Sequence, residues 1–272
     1  AVLVAFHLAM LVMVALGWDQ YAGQLRLAWW QVFLQATLVL AVIGFMDDRF
    51  GLPAALKLAG QIYVASLMYL HGYGVESLFG LDFPEWANFA VTLLWYVLLT
   101  NAFNLIDGLD GLATGLAMIA SLGLAGTALM RGQAGDAIPY LVLAGAGLGF
   151  LRYNFNPASV FLGDTGSLFL GFSLASMSVA SATKGTLLTT LAVPLLAMGV
   201  PLYDTLLAVW RRSVRALSAD AGAAAAAGGR IMQPDKDHLH HRFLALGLTQ
   251  RRVAALLYAV NVGLVGVALL LT

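Results

Sequence analysis

The sequence predicts an all-α polytopic membrane protein with about nine transmembrane helices. Of its 272 residues, 61% are hydrophobic and only 10% are charged, whereas soluble domains carry about 25% charged residues. The apolar residues occur in long runs, and most acidic side chains fall at the ends of those runs. Because ionisable groups are costly inside a membrane span, their clusters at span ends indicate a functional site.

The individual spans are predicted from stretches close to the roughly 20 apolar residues that a helix needs to cross a bilayer. Turn residues such as Asn156-Pro157 separate these stretches. The nine stretches are residues 1–17, 27–46, 54–71, 87–106, 110–130, 137–153, 161–182, 187–210 and 252–272.

The distribution of basic residues predicts which connections face the cytoplasm. Eleven Lys and Arg residues lie in or beside one set of alternating connections, and three lie in the other set. Cytoplasmic loops carry the excess of Lys and Arg, so the first set, which also holds the acidic and His-rich clusters, is predicted to be cytoplasmic. An active site on the cytoplasmic face follows. The first set comprises residues 47–53, 107–110, 153–160 and 211–251.

Charge, cysteine content and low-complexity sequence limit the remaining classes. The formal net charge is zero, which gives no electrostatic support for binding nucleic acid. The absence of cysteine excludes disulfides and thiolate metal sites. We expect one transmembrane domain over residues 1–272, in which the Ala/Gly-rich segment 216–229 is a flexible linker within the cytoplasmic loop 211–251.

The densest polar cluster follows the fourth apolar stretch. Asn101, Asn104, Asp107 and Asp110 recur every three residues and therefore form one polar stripe on a continuous helix. Nearby glycines let the backbone approach a ligand closely. The alternative is an Asn/Asp-rich helix end with capping roles, but four polar residues in register at a membrane boundary favour a site.

The pair Asp47-Asp48 closes the second stretch. Adjacent helical residues point about 100° apart, so one carboxylate can engage a metal ion or phosphate while the other pairs with Arg49 or Lys57. A solvated helix end with local salt bridges is an equally good interpretation of this pair taken alone.

Asp164 lies between two glycines at the start of the seventh stretch. Helix N-terminal amides favour phosphate, and Mg²⁺ prefers one or two protein oxygens, completing its shell with water and phosphate. Asp164 helped by the Asn104 amide oxygen would suffice as a magnesium site. A helix N-cap is the alternative role, and the two are compatible.

The last cluster is Asp235-Lys-Asp-His238-Leu-His240-His241-Arg242. Three histidines within four residues cannot all converge on one ion from a regular helix, so zinc is disfavoured. Hydrogen bonds and cationic contacts to a diphosphate or sugar fit better. Asp237 is expected to cap a short helix at the membrane surface.

Taken in chain order, the four motifs resemble those of the polyprenyl-phosphate N-acetylhexosamine-1-phosphate transferases: Asp47-Asp48, the Asn101–Asp110 cluster, the Asp164 segment and residues 235–242. The sequences of the second and last motifs are most similar to those of the undecaprenyl-phosphate GlcNAc-1-phosphate transferases that start O-antigen, enterobacterial-antigen or teichoic-acid linkage synthesis. The resemblance implies transfer of N-acetylhexosamine-1-phosphate from a UDP-sugar to undecaprenyl phosphate with release of UMP, at a bacterial inner membrane. A homodimer is left open.

The same resemblance implies a role for each matching residue. Asp164 would hold Mg²⁺, with Mn²⁺ as a substitute, and Asn104 would join it, while Asp47 and Asp48 would act on the lipid phosphate or in proton transfer. The implied substrate-binding residues are Lys57, Asp107, Asp110, Asn154, His238, His240, His241 and Arg242.

Two departures from the family pattern are expected to matter. The family has a further first span and a basic cytoplasmic loop before the position of Ala1, so the chain is expected to lack an N-terminal helix and loop. The Ala/Gly segment before the histidines is also longer than the family pattern.

Other functions remain open from the sequence. The acceptor phosphate, with a second pKa near 6, is already largely dianionic at neutral pH, so direct attack needs no general base and is preferred to an aspartyl-phosphate intermediate. The rival functions are the phospho-MurNAc-pentapeptide translocase, a cation-coupled transporter with carboxylates near the bilayer midplane, and a scaffold with a degraded site.

Overall fold

The computed structural model describes residues 1–17, 27–75, 77–78, 81–82, 84–181, 187–217 and 239–272. Within these ranges the chain is helical apart from turns and one short antiparallel ladder, β1 (Ser77–Leu78) with β2 (Leu81–Asp82). The helices are α1 (Val2–Ala15), α2 (Leu27–Phe50), α3 (Ala54–Leu70), α4 (Glu85–Ile106), α5 (Leu112–Met130), α6 (Ala134–Asn154), α7 (Gly163–Ala180), α8 (Leu187–Ala197), α9 (Gly199–Leu217), α10 (Leu239–Ala245) and α11 (Gln250–Leu270).

Each predicted span corresponds to one helix except residues 187–210, which form two, and the prediction of an all-α membrane fold is confirmed. Among the described residues, five helices are long and apolar enough to cross a membrane: α2, α4, α5, α6 and α11. Helices α1 and α3 are apolar but shorter. The fold is thus that of a multi-pass membrane protein, while nine crossings stay a prediction.

Helix α7 forms the centre of the bundle. Every residue from Gly166 to Ala180 is buried, and α7 packs against α2, α4, α5 and α6. Gly44 of α2 permits the close contact at the start of α7, since a Cβ built on it would lie 2.5 Å from the Thr165 Cα. The first turn of α7 is therefore held directly against the last turns of α2.

Aromatic side chains from three other helices hydrogen-bond to serines of α7 and its C-terminal cap. Buried hydroxyl and indole groups need such partners, since an unpaired polar group inside a protein is costly. The three contacts are Trp29 Nε1 donating to Ser176 Oγ at 2.9 Å, Trp95 Nε1 donating to Ser178 Oγ at 3.2 Å, and the Tyr140 and Ser181 hydroxyls paired at 3.0 Å.

The predicted span 187–210 is two helices, α8 and α9, which meet at Met198. Pro201 has no N–H, so the carbonyl of Ala197 loses its normal helical donor. The side chain of Asn261, which is fully buried, donates to this carbonyl from α11 at 3.1 Å. The break is thus stabilised by a neighbouring helix.

The polar connections gather at one end of the bundle. Helices α2, α4 and α6 end where α3, α5 and α7 begin, and the turns between them are residues 51–53, 107–111 and 155–162. Of the predicted linker 216–229, only residues 216 and 217 are described, as the end of α9. The rest of that linker, like Asp235 and His238, lies outside the described residues.

Candidate functional site

The site is organised around Lys57, which joins two carboxylates that are distant in the sequence. The Lys57 ammonium donates to Asp47 Oδ2 at 2.7 Å and to Asp164 Oδ2 at 3.0 Å. The three side chains come from α2, α3 and α7 and are all partly exposed, between 13% and 26%. Residues that are distant in the sequence therefore meet at one place in the fold.

The turn from α2 to α3 explains why Asp47 and Lys57 meet. Helix α2 ends at Phe50, and Gly51 takes a positive φ of 69° that a residue with a side chain rarely adopts. The chain then reverses, and the backbone N–H of Leu52 donates to Asp47 Oδ1 at 2.6 Å. Asp47 is fixed by this bond, and Lys57 lies in the first turn of α3.

Asp48 points to a different partner and caps α7. Its Oδ1 accepts the backbone N–H of Asp164 at 2.7 Å, and its Oδ2 accepts the N–H and hydroxyl of Thr165 at 3.2 and 3.0 Å. The first N–H groups of a helix have no partner within the helix, and Asp48 supplies one from another helix. Asp48 thereby orients Asp164, and its predicted catalytic role stays a prediction.

Asn104 lies beside Asp164, as the sequence predicted. The Asn104 amide nitrogen donates to Ser167 Oγ at 2.9 Å, and the side chain also interacts with the Asp164 carboxylate. Of the two amide atoms, only the oxygen can bind a cation, so Asn104 would join a metal ion through that atom. The proposed pair of metal ligands is thus adjacent.

Asn101, one turn deeper in α4, pairs with Gln61 of α3 rather than facing the site. Gln61 Nε2 donates to Asn101 Oδ1 at 3.3 Å, and the Asn101 amide donates back to Gln61 Oε1. Gln61 is only 3% exposed. Since it follows Lys57 by one helical turn, this amide pair fixes the rotation of α3 that presents Lys57 to the carboxylates.

Asp107 ends α4 as its C-cap residue, close to the other acids. Burial, together with the nearby carboxylates of Asp164, Asp48 and Asp110, raises the pKa of Asp107 to about 8. Desolvation and like charges both disfavour the ionised form. A cation bound nearby would favour the ionised form of Asp107.

Asp110 is directed toward the loop between α6 and α7. Its Oδ2 accepts from the Asn156 amide at 2.9 Å and from the Ala158 N–H at 3.0 Å. Asn156 also donates to Gln250 Oε1 at 2.8 Å. Asp110 thus joins the loop to the start of α11, and its predicted contact with substrate stays a prediction.

Asn154 is 2% exposed, and both polar atoms of its side chain are paired. Its Oδ1 accepts the Thr114 hydroxyl at 2.9 Å, and its Nδ2 donates to the Val160 carbonyl at 3.0 Å. This geometry gives Asn154 a role in holding the α6–α7 loop. The contact with a nucleotide-sugar implied for it by the resemblance is untested.

The His-rich motif is described only in part. His240 and His241 lie in α10, whose backbone is helical, and Arg242 is exposed. Helix α10 packs against α11, and Phe243 and Leu244 contact the core. The short helix predicted for this motif is confirmed between Leu239 and Ala245, while the substrate contacts of the motif stay a prediction.

Two residues of the site region were not singled out from the sequence. Gln61 carried a signal, since it follows Lys57 by four residues and so lies on the same face of α3. Tyr258 of α11 donates its hydroxyl to the Gly111 carbonyl at 2.6 Å and so holds the turn after Asp107. No local pattern distinguishes Tyr258 from the other aromatic residues of an apolar helix.

The donor set consists of oxygen atoms and fits a hard divalent cation such as Mg²⁺ or Mn²⁺. Among the described residues, no group of three or more His, Cys, Asp or Glu side chains is arranged to hold a metal ion. Mg²⁺ needs only one or two carboxylates when water and phosphate complete its shell. Asp164 with the Asn104 oxygen, beside Asp47, offers that set, and the Lys57 ammonium already marks a cation position between the two carboxylates.

Comparisons with known proteins agree with the geometry. Residues 30–182 match the model of Glycosyl transferase family 4. A probable undecaprenyl-phosphate N-acetylglucosaminyl 1-phosphate transferase of Bacillus subtilis is 37% identical over 82% of this chain and 60% of its own length. A decaprenyl-phosphate N-acetylglucosaminephosphotransferase of Mycobacterium tuberculosis is 36% identical over 83% of this chain and 59% of its own length.

A more limited match is found with a phospho-N-acetylmuramoyl-pentapeptide-transferase of Listeria monocytogenes, 36% identical over 58% of this chain and 53% of its own length. The chain spans about 60% of the length of the first two relatives. The matched range includes Asp47, Lys57 and Asp164. The chain belongs to Glycosyl transferase family 4.

Proposed function

We propose that this protein transfers N-acetylglucosamine-1-phosphate from UDP-N-acetylglucosamine to undecaprenyl phosphate, with release of UMP. The observation that carries the proposal is the meeting of Asp47, Lys57 and Asp164, with Asn104 and Asp107 beside them, at one end of a membrane bundle. Such a site suits a reaction between a water-soluble diphosphate and a lipid phosphate.

The extent of similarity supports GlcNAc rather than muramoyl-pentapeptide in the donor. The relatives named for N-acetylglucosamine match 82–83% of the chain, and the muramoyl-pentapeptide transferase matches 58%. We further propose that this step begins synthesis of an envelope polysaccharide on a lipid carrier, such as lipopolysaccharide or a teichoic-acid linkage unit.

The location of the acids argues against a cation-coupled transporter. Asp47, Asp107 and Asp164 lie at helix ends on one side of the bundle. A transport site would place them near the middle of the helices, where coupling ions bind. The excess of basic residues in the adjacent connections supports a cytoplasmic location for this side, in a bacterial inner membrane crossed about nine times.

Asp164 and Asn104 would hold a Mg²⁺ ion, with Mn²⁺ able to replace it. When bound, such an ion neutralises charge on the diphosphate and orients it. The charge balance of the site supports this assignment, since the carboxylates of Asp47 and Asp164 share the single ammonium group of Lys57.

The protein's own residues would act mainly by positioning and by neutralising charge, as is general in phosphoryl transfer. An oxygen of the acceptor phosphate attacks the phosphorus attached to the sugar, and the bond from that phosphorus to the UMP oxygen breaks. UMP leaves with the bond electrons, and a lipid-linked pyrophosphate forms. Lys57 would stabilise the phosphate oxygens, while Asp48 and Gln61 hold Asp164 and Lys57 in position.

The proposal is tested by measuring UMP release from UDP-N-acetylglucosamine by purified protein with undecaprenyl phosphate and Mg²⁺. Asp164→Ala and Lys57→Ala are expected to lower turnover by at least about a hundredfold, as with loss of other charge-stabilising groups. Asp136→Ala, at the opposite end of the bundle in the first turn of α6, is the matched control and should retain activity. An Asp164→Ala protein within a few-fold of the parent would refute the assignment.

Two changes of substrate refine the same assay. UDP-muramoyl-pentapeptide replacing UDP-N-acetylglucosamine should give no product, and the reverse preference would assign the donor to the translocase class. Exchange of labelled UMP into UDP-sugar without the lipid acceptor should be absent. If exchange occurs, a covalent intermediate replaces direct attack.

A further inference from the structure

Lys57 occupies the place between two carboxylates where a divalent cation would be expected. We propose that Lys57 is a tethered substitute for that cation: its ammonium group holds Asp47 and Asp164 together in the resting protein and withdraws when the metal ion binds. The inference rests on the proposed function, because it takes the ion to be the one that the transfer reaction uses.

The contacts of the ammonium group make the two occupants mutually exclusive. Lys57 Nζ lies 3.0 Å from Asp164 Oδ2 and 2.7 Å from Asp47 Oδ2. A metal ion on the same Asp164 oxygen would come within a few ångströms of Nζ, where two cations repel strongly. The ammonium group must therefore move away before Asp164 can bind a metal ion through that oxygen.

Charge balance gives the direction of the exchange. One ammonium group compensates only one of the two carboxylates. A divalent ion compensates both Asp47 and Asp164. The exchange is therefore favourable at sufficient metal concentration, and the displaced ammonium group becomes free to bind an incoming phosphate oxygen.

The lysine side chain can move while its helix stays in place. The four-carbon stem of lysine is flexible and its ammonium group has no fixed direction. The backbone of α3 is held one turn further on, where Gln61 pairs with Asn101 of α4. The side chain of Lys57 is 23% exposed, so its end reaches solvent without passing through the packed core.

The first experiment measures divalent-ion binding without either substrate. Mn²⁺ affinity of the purified protein is followed by electron paramagnetic resonance, for the parent, Lys57→Met and Lys57→Arg. Removing the tethered charge should raise Mn²⁺ affinity about tenfold or more, while Lys57→Arg, which keeps the charge, should stay near the parent. Adding Asp164→Asn to Lys57→Met should abolish the gain. Equal affinity of the parent and Lys57→Met would overturn the proposal.

The second experiment uses the unaltered protein and so does not depend on a variant that folds. The sequence contains three lysines, Lys57, Lys184 and Lys236. Acylation with a lysine-selective reagent, read by peptide mass spectrometry, should increase several-fold at Lys57 on adding Mg²⁺. Lys184 and Lys236 serve as internal references, and Na⁺ at equal ionic strength serves as the salt control. Unchanged or reduced labelling of Lys57 would overturn the proposal.

The results of these two experiments can contradict the Lys57 proposal without contradicting the proposed function, and the reverse also holds. Neither includes UDP-sugar or lipid acceptor, so their outcome is independent of turnover. If the parent releases UMP while Lys57→Met gains no Mn²⁺ affinity, the tethered-cation proposal alone is wrong. If Lys57 exchanges with the metal ion but no UMP is released from any UDP-sugar, the proposed function is wrong.

Discussion

Replacement of Asp48 by alanine is expected to loosen the start of α7 as well as to lower activity. Asp48 accepts three hydrogen bonds, two from backbone N–H groups at the first turn of α7 and one from the Thr165 hydroxyl. Loss of a capping side chain costs about 0.5–2 kcal/mol. Because Asp48 is exposed, water replaces some of the lost hydrogen bonds. We expect the free energy of unfolding to fall by about 2 kcal/mol.

That loss corresponds to a fall in the unfolding temperature of roughly 4–8 °C, by the scaling for domains of 150–250 residues. Tryptophan fluorescence of the protein in detergent provides the measurement, since the chain has six tryptophans. Asp48→Asn, which keeps one acceptor oxygen, should fall between the parent and Asp48→Ala. Asp47→Ala is the matched control: turnover should fall, but the unfolding temperature should fall less, because Asp47 accepts only one backbone N–H.

One result would refute the capping argument. If Asp48→Ala unfolds within about 1 °C of the parent and still loses its turnover, the carboxylate acts on the reacting groups. The catalytic role implied by the resemblance would then be preferred over the role of holding Asp164.

Three further predictions concern other parts of the molecule. The pKa of Asp107 is raised to about 8, so the folded state holds a proton that the unfolded chain releases near pH 4. The unfolding temperature of the metal-free protein should therefore fall as the pH rises from about 4 to 8. Asp107→Asn, which cannot ionise, should flatten that dependence. Asn261→Leu leaves the carbonyl opposite Pro201 without a donor and should cost about 1–3 kcal/mol, measured by thermal unfolding; Pro201→Ala in the same chain should recover part of it, and failure to do so would contradict the bond's role. Gly163→Ala should destabilise more than Gly132→Ala in the same measurement, since both have positive φ but only at Gly163 would a Cβ approach the Asp48 carboxylate, at 2.8 Å; equal losses would show that backbone strain alone matters.

Much of the fold was predictable because the bilayer imposes a simple rule on composition. Each apolar stretch except 187–210 became a single helix. Polar residues at the stretch ends came together because consecutive helices reverse direction. The break between α8 and α9 was not predicted, because residues 187–210 stay apolar across it. Pro201 leaves the Ala197 carbonyl without its helical donor, and Asn261 of α11 supplies one. No local sequence pattern reveals this contact.

The sequence predicted which residues form the site better than it predicted their contacts. The angular separation of adjacent helical residues indicated that Asp47 and Asp48 would have different partners, and they do. Which of them would face Lys57 depends on the turn at Gly51, whose path is a three-dimensional property. Asp110 was predicted from its register with Asp107 and Asn154 from the family resemblance, but their hydrogen bonds go to the α6–α7 loop.

The enclosure of α7 has a consequence for how this enzyme family can diversify. Indole and phenol groups from α2, α4 and α6 are tied to serines along α7 and at its C-terminal cap, so this helix can neither turn nor slide without breaking several bonds at once. Asp164, which would carry the metal ion, therefore lies on a helix whose position is fixed. New preferences for the sugar donor would have to arise in the surrounding turns and in the His-rich motif. Substitutions there alter the shape of the site and leave the position of α7 unchanged.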